Sequence, residues 1–173
     1  MPVRSIIPLG EPVLRAICTP VTEPATAAAL VADLQDTLAH SRATTGYGRG
    51  IAAPQLGVTQ RVVFLNVIAP WPLLNPEIID RSPETFVVWD ACLSFLSIFM
   101  PVRRHVWIRV RYQDLAGQTH EVVAGPEHDY SELLQHEIDH LDGILCLDRV
   151  EDVKTIISKE VFEARYRANS PYA

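Results

Sequence analysis

The sequence predicts an α+β fold, and three observations carry that expectation. Helical periodicity appears near both ends of the chain, several short strand-like runs lie between, and these runs do not alternate with helices as a parallel sheet requires. Taking the elements in order, Pro20 and Pro24 punctuate the start, and Leu30, Val31, Leu34 and Leu38 recur at helical spacing. A first amphipathic helix is therefore expected over 25–40. The Gly-rich segment Gly46-Tyr47-Gly48-Arg49-Gly50 leads into Ile51-Ala52-Ala53-Pro54-Gln55. Residues 61–67 and 85–89 are β-branched and aromatic and read as strands. Over 102–112, Val106, Ile108, Val110 and Tyr112 alternate with Trp107, Arg109 and Arg111, which predicts a strand with one wet face. A shorter strand follows over 119–124. Gly125-Pro126 stops it, and Glu127 and Asp129 mark the start of a helix that runs to about Leu141 and ends at Gly143. A last helix is expected over 152–167, with Val153, Ile156, Ile157 and Val161 facing the body.

With 173 residues the chain is expected to form one domain spanning 1–173 with a real core. Its net charge of -6 argues against a broad nucleic-acid footprint, and no segment approaches a membrane span or has a signal peptide's apolar run. Cys18, Cys92 and Cys146 are odd in number and far apart. They form no evident disulfide framework, so a reducing, cytoplasmic setting is expected.

The chemistry concentrates in Gln135-His136-Glu137-Ile138-Asp139-His140. Two histidines four apart on a helix project from one face, so both imidazoles reach one metal ion at about 2.0–2.1 Å. Glu137 beside them is placed to take a proton from water. The same HExxH pattern also describes two surface histidines on a charged helix. A catalytic site needs a third protein ligand, and Cys92 in Asp90-Ala91-Cys92-Leu93-Ser94 is the candidate, although a free cysteine is more often core. Cys146, within Ile144-Leu145-Cys146-Leu147, reads as core.

Three segments in order resemble the motifs of peptide deformylases: Gly48-Arg49-Gly50-Ile51-Ala52-Ala53-Pro54-Gln55, Asp90-Ala91-Cys92-Leu93-Ser94 and Gln135-His136-Glu137-Ile138-Asp139-His140-Leu141-Asp142-Gly143. The usual family forms are G-hydrophobic-G-hydrophobic-A-A-x-Q, E-G-C-hydrophobic-S and Q-H-E-hydrophobic-D-H-L-x-G. The resemblance implies a deformylase-like fold, with short antiparallel strands packed around a central HExxH helix and a helix near each end. It implies that Cys92, His136 and His140 bind one divalent metal, most often ferrous iron, with zinc, nickel or cobalt also accepted. Glu137 would pass the proton of the attacking water to the departing amine. The Gln55 amide and the Leu93 backbone N–H would steady the oxygen that becomes negative. The reaction implied is removal of an N-formyl group from a peptide or amino acid, releasing formate. Gly48, Arg49, Gly50, Ala91, Glu132 and Leu133 would line the substrate pocket.

The chain also departs from the family pattern. Arg49 stands where an apolar residue is usual, Asp90-Ala91 replaces Glu-Gly, and Asp129-Tyr130-Ser131-Glu132 replaces a mostly apolar and small stretch. Arg49 and Glu132 fall where the family lines its methionine pocket, so they are expected to face each other and to shift preference toward a polar or specialised formylated substrate. The competing arrangement has both side chains reaching into solvent. Asp90 is expected to pair with Arg104. Two further readings stay open: a metal-retaining paralogue that binds, at a ribosome through the final helix, and a generic HExxH peptidase. Intact Glu137 and Gln55 argue against the first, and the missing downstream ligand argues against the second.

Overall fold

A computed structural model describes residues 3–125, 129–170 and 172. After short 3-10 turns at Pro12–Arg15 and Pro24–Ala27, helix α1 spans Ala28–Thr45. It buries Val31, Leu34, Thr37, Leu38 and Ser41, one stripe at helical spacing. The helix starts later and runs further than periodicity predicts. Its polar last turn ends only at Gly46, whose φ of 77° suits a glycine and whose N–H donates to Arg42 O.

Among the described residues, eight strands follow in two antiparallel sheets. Strands β1 (Gly50–Ala52), β2 (Val62–Asn66), β3 (Pro70–Arg81), β6 (Ile108–Gln113) and β7 (Thr119–Ala124) form one sheet in the order β1-β2-β3-β6-β7. Strands β4 (Thr85–Asp90), β5 (Ile98–His105) and β8 (Ile157–Ser158) form the second. The single strand expected over 102–112 is thus two strands in different sheets. The chain leaves one sheet at His105, and Val106 and Trp107 carry it to Ile108 of the other. The expected alternation survives within β6, where Ile108 and Val110 are buried and Arg109 and Arg111 are exposed.

Helix α2 (Tyr130–Leu141) packs between these layers. Leu133, Leu134, Ile138 and Leu141 join Ala52, Val63, Leu65, Leu73 and Val110 in the largest apolar cluster. Every residue from Ser131 to Leu141 is buried. Asp129 precedes α2 with a positive φ of 57°, whereas the expected roles of Pro126 and Glu127 lie outside the described residues.

The long final helix is not formed. Residues 152–167 contain a 3-10 turn at Val153–Thr155, strand β8 and helix α3 (Lys159–Arg165). Ile157 pairs with Phe99 of β5, so the β-branched pair Ile156-Ile157 leads into an edge strand instead of a helix. Ser158 then caps α3 by accepting from Val161 N. Val153 is 73% exposed rather than facing the body, while Phe162 is fully buried and stacks on Phe99. Among the described residues, no helix is long and apolar enough to cross a membrane.

Candidate active site

The helix α2 carries its polar groups inward on the side away from its leucines. Gln135 fixes the helix to β5: its side-chain oxygen accepts from His105 N at 3.0 Å, and its amide donates to His105 O at 3.0 Å. This pairing imitates one rung of a sheet. Asp139 is a second anchor, accepting from Arg104 Nη1 at 2.6 Å and from Arg149 Nη2 at 2.6 Å. Arg104, fully buried on β5, also donates to Asp90 Oδ2 at 2.9 Å, so the expected Asp90–Arg104 pair is present. A guanidinium between two carboxylates ties β4, β5 and α2 together without leaving a buried charge alone.

These anchors hold His136, Glu137 and His140 beside Cys92, which follows β4. Cys92 Sγ lies 3.3 Å from His140 Nε2, and ligand atoms of Cys92, His136 and His140 all fall within 4.8 Å of one another. One thiol and two imidazoles form a donor set suited to zinc, iron, nickel or cobalt rather than magnesium or calcium. His140 Nδ1 and Glu137 Oε2 are buried and have no partner among the described residues, so the polar cluster has ligand capacity to spare. The residues present therefore fit a metal ion. Asp90, His136 and Cys146 also lie within such reach. Asp90 already serves Arg104 and stands 2.9 Å from His136 Nδ1, the place of a carboxylate that orients a ligating histidine.

Burial pushes Glu137 up to about 7, near the value useful for moving protons at neutral pH. Burial, with His136 alongside, holds His140 well below the usual histidine range. Gln55 sits in the 3-10 turn Ala53–Leu56 after β1. Its oxygen accepts from Ala52 N at 2.9 Å, which turns the amide nitrogen toward Cys92 Sγ and Ser94 Oγ, both at 3.4 Å. Leu93 opens the 3-10 turn Leu93–Phe95, so its N–H is one that a helical turn leaves free.

The residues expected to line a pocket also converge. Gly48, Arg49, Gly50, Ala91, Glu132 and Leu133 border one cleft together with Gln55, His136 and Glu137. Arg49 Nη2 contacts Glu132 Oε1, and neither side chain reaches out into solvent. Burial raises Glu132, while the adjacent Arg49 opposes that shift. A β-carbon on Gly50 would stand 2.7 Å from Glu137 Oε1, which explains glycine at this point of β1. Sequence reasoning missed Tyr172. Its hydroxyl accepts from Ala91 N at 3.1 Å and its ring lies 4.9 Å from the Arg49 guanidinium carbon. No local pattern marks a lone tyrosine so far along the chain.

Comparison with known proteins agrees with this geometry. The polypeptide deformylase family model matches residues 3–155. The peptide deformylase of Thermotoga petrophila is 37% identical over 154 residues, covering 87% of this chain and 89% of that protein. That of Bartonella tribocorum is 35% identical over 174 residues, covering 95% and 94%. Among solved structures, the Thermotoga maritima peptide deformylase superposes with a TM-score of 0.81 at 34% identity, covering 88% of this chain and 100% of that one. The Synechococcus elongatus peptide deformylase, in complex with actinonin, gives 0.82 at 27% identity, covering 90% and 82%. Three ordered motifs, a matching fold and relatives aligned along most of their length lead to one conclusion: the chain belongs to the polypeptide deformylase family.

Proposed function

We propose that this protein hydrolyses the N-formyl group of a formylated peptide or amino acid, releasing formate and a free amine. The observation that carries the reading is the convergence of Cys92, His136 and His140 donors within 4.8 Å beside the buried carboxylate of Glu137. Cys92, His136 and His140 would hold one divalent ion, for which ferrous iron is the cellular choice and zinc, nickel or cobalt are substitutes. When bound, such an ion supplies Lewis-acid activation of water near neutral pH.

The chain's own groups do the rest. Glu137 takes a proton from the water as its oxygen adds to the formyl carbon. Gln55 Nε2 and the Leu93 N–H donate to the carbonyl oxygen as it becomes negative, and the fixed Gln55 amide needs no reorganisation to do so. Glu137 then returns the proton to nitrogen while the C–N bond breaks. The three buried, free cysteines suit a reducing cytoplasm.

The test is formate release from a panel of formylated peptides by anaerobically iron-loaded protein. Glu137→Ala should bind the same metal and lose roughly 10²- to 10⁴-fold in rate, the usual worth of a general acid–base group. No formate from any formylated amine would overturn the reading. A second reading keeps the reaction but assigns it a polar formylated substrate, and the buried Arg49–Glu132 pair favours it.

A further inference from the structure

Resting on the deformylase reading above, we infer that Arg49 is a specificity-determining residue. Its guanidinium receives a neutral hydrogen-bond acceptor at the end of the first side chain, so that formyl-glutamine-type substrates are preferred to formyl-methionine ones.

Arg49 lies between the two glycines of the first motif, on the wall of the cleft that also exposes Gln55, His136 and Glu137. One of its nitrogens, Nη2, is engaged by Glu132. Nε and Nη1 are buried and have no partner among the described residues. A guanidinium presents five N–H donors in a planar fork and accepts nothing, so an acceptor has to be supplied to the unused part of that fork. Leaving such donors dry is costly, and a ligand that satisfies them recovers the cost.

The surrounding charge decides which acceptor fits. Glu132 already neutralises Arg49, and Asp129 acts on the same guanidinium. Glu137 and Asp90 line the same cleft. An anionic side chain would add a charge to a site where Arg49 is already paired. A methionine thioether is a weak acceptor and would leave both orphan nitrogens unsatisfied. An amide carbonyl is neutral and strong, and it is carried at about methionine's length by glutamine. Tyr172 covers one face of the guanidinium with its ring at 4.9 Å, so a side chain that enters as this ring shifts meets the unpaired N–H groups in the guanidinium plane.

The experiment compares kcat/KM for formyl-Gln, formyl-Met, formyl-Glu and formyl-Leu versions of one tripeptide on iron-loaded protein. Calorimetric binding of the N-acetyl-Gln and N-acetyl-Met analogues supplies a readout without turnover. Wild type is expected to favour Gln over Met by about tenfold or more in both assays, the scale of a hydrogen bond to a charged group. Formyl-Glu is expected to fall below formyl-Gln. Replacing both partners, Arg49→Ile with Glu132→Ile, removes the pair without stranding either of its charges and should reverse the Gln:Met ratio. Equal rates for all four substrates, or a ratio unmoved by the double variant, would overturn the inference and leave the deformylase reading intact. Preferential binding of the acetyl-Gln analogue with no formate from any substrate would overturn the deformylase reading and leave the recognition standing. Should the double variant fail to fold, the wild-type ratios decide alone.

Discussion

The Asp90 carboxylate is fully buried and lies 2.9 Å from both His136 Nδ1 and Arg104 Nη2. Burial alone would raise its pKa, yet His136 and Arg104 hold it well below the usual carboxylate range. Paired with Arg104, it is placed as an anion beside His136 Nδ1, where it can orient the ring. Asp90→Asn keeps the shape and removes the charge. Arg104 would still be paired through Asp139, so the fold should persist. Metal affinity should fall about 10- to 100-fold, the usual effect of losing a partner behind a ligating histidine. Competition with a chromophoric chelator measures this, and an unchanged affinity would reject the role. Asp90 was legible because a family-like acid stands before Cys92 and an arginine lies downstream. The parts played by Asp139 and Gln135 were not legible, because both belong to the third motif and give no sign of which distant strand they clasp.

At the scale of elements, two glycines set how closely the chain packs on α2. In β1, a β-carbon at Gly50 would meet Glu137 Oε1 and Leu65 Cδ2, each at 2.7 Å. Leu65 is fully buried, and Glu137 can yield only by leaving the position proposed for its proton transfer. Gly50→Ala should fold and lose about 10²-fold in kcat, as misplacing a catalytic group by an ångström does. Steady-state kinetics beside circular dichroism separates that outcome from unfolding, and full activity would count against it. Gly143 ends the α2 turn with a φ of 71°, and its β-carbon would lie 2.5 Å from the Arg15 backbone oxygen. Backbone cannot swing aside, so Gly143→Ala should destabilise by about 1–3 kcal/mol or more. Urea denaturation should show a lowered midpoint, and no shift would refute the argument. This stop was readable from sequence, whereas β3 was not. Its prolines hide a strand pattern, and pairing on both sides survives because the register shifts between Leu74 and Glu77, around Pro76. The final helix misled for the opposite reason: helical periodicity was present, but pairing of Ile157 with β5 and burial of Phe162 overrode it.

Over the whole molecule, the chemistry is local in sequence while the shape of the cleft is not. The metal-binding and proton-moving candidates could be read from three short segments. The pocket wall could be read only in part, since it also needs Tyr172 brought back across the first two motifs. Arg167 Nε donates to Tyr172 O at 3.0 Å, and the ring contacts Tyr47, Phe99 and Phe162 with centroids 5.6 to 5.9 Å away. With the ring in place the cleft retains a cavity of ≈ 30 Å³, the room of about one water. A first side chain of glutamine's or methionine's length therefore enters only as this ring shifts, and a bulkier one demands the larger shift. Tyr172→Ala removes the obstruction and frees the Ala91 N–H that the phenol oxygen now occupies. It also loses aromatic packing, at a cost of about 0.5–1.5 kcal/mol for each ring pair beyond area burial, so some stability should be lost. Formyl-glycine peptides place no side chain in the cleft and should react at nearly the wild-type rate. Formyl-phenylalanine peptides should gain, by about tenfold in kcat/KM if the ring costs roughly 1.4 kcal/mol to displace. The ratio of the two substrates cancels any loss of folded enzyme. A ratio equal to wild type would mean that the first side chain lies elsewhere and that Tyr172 only packs.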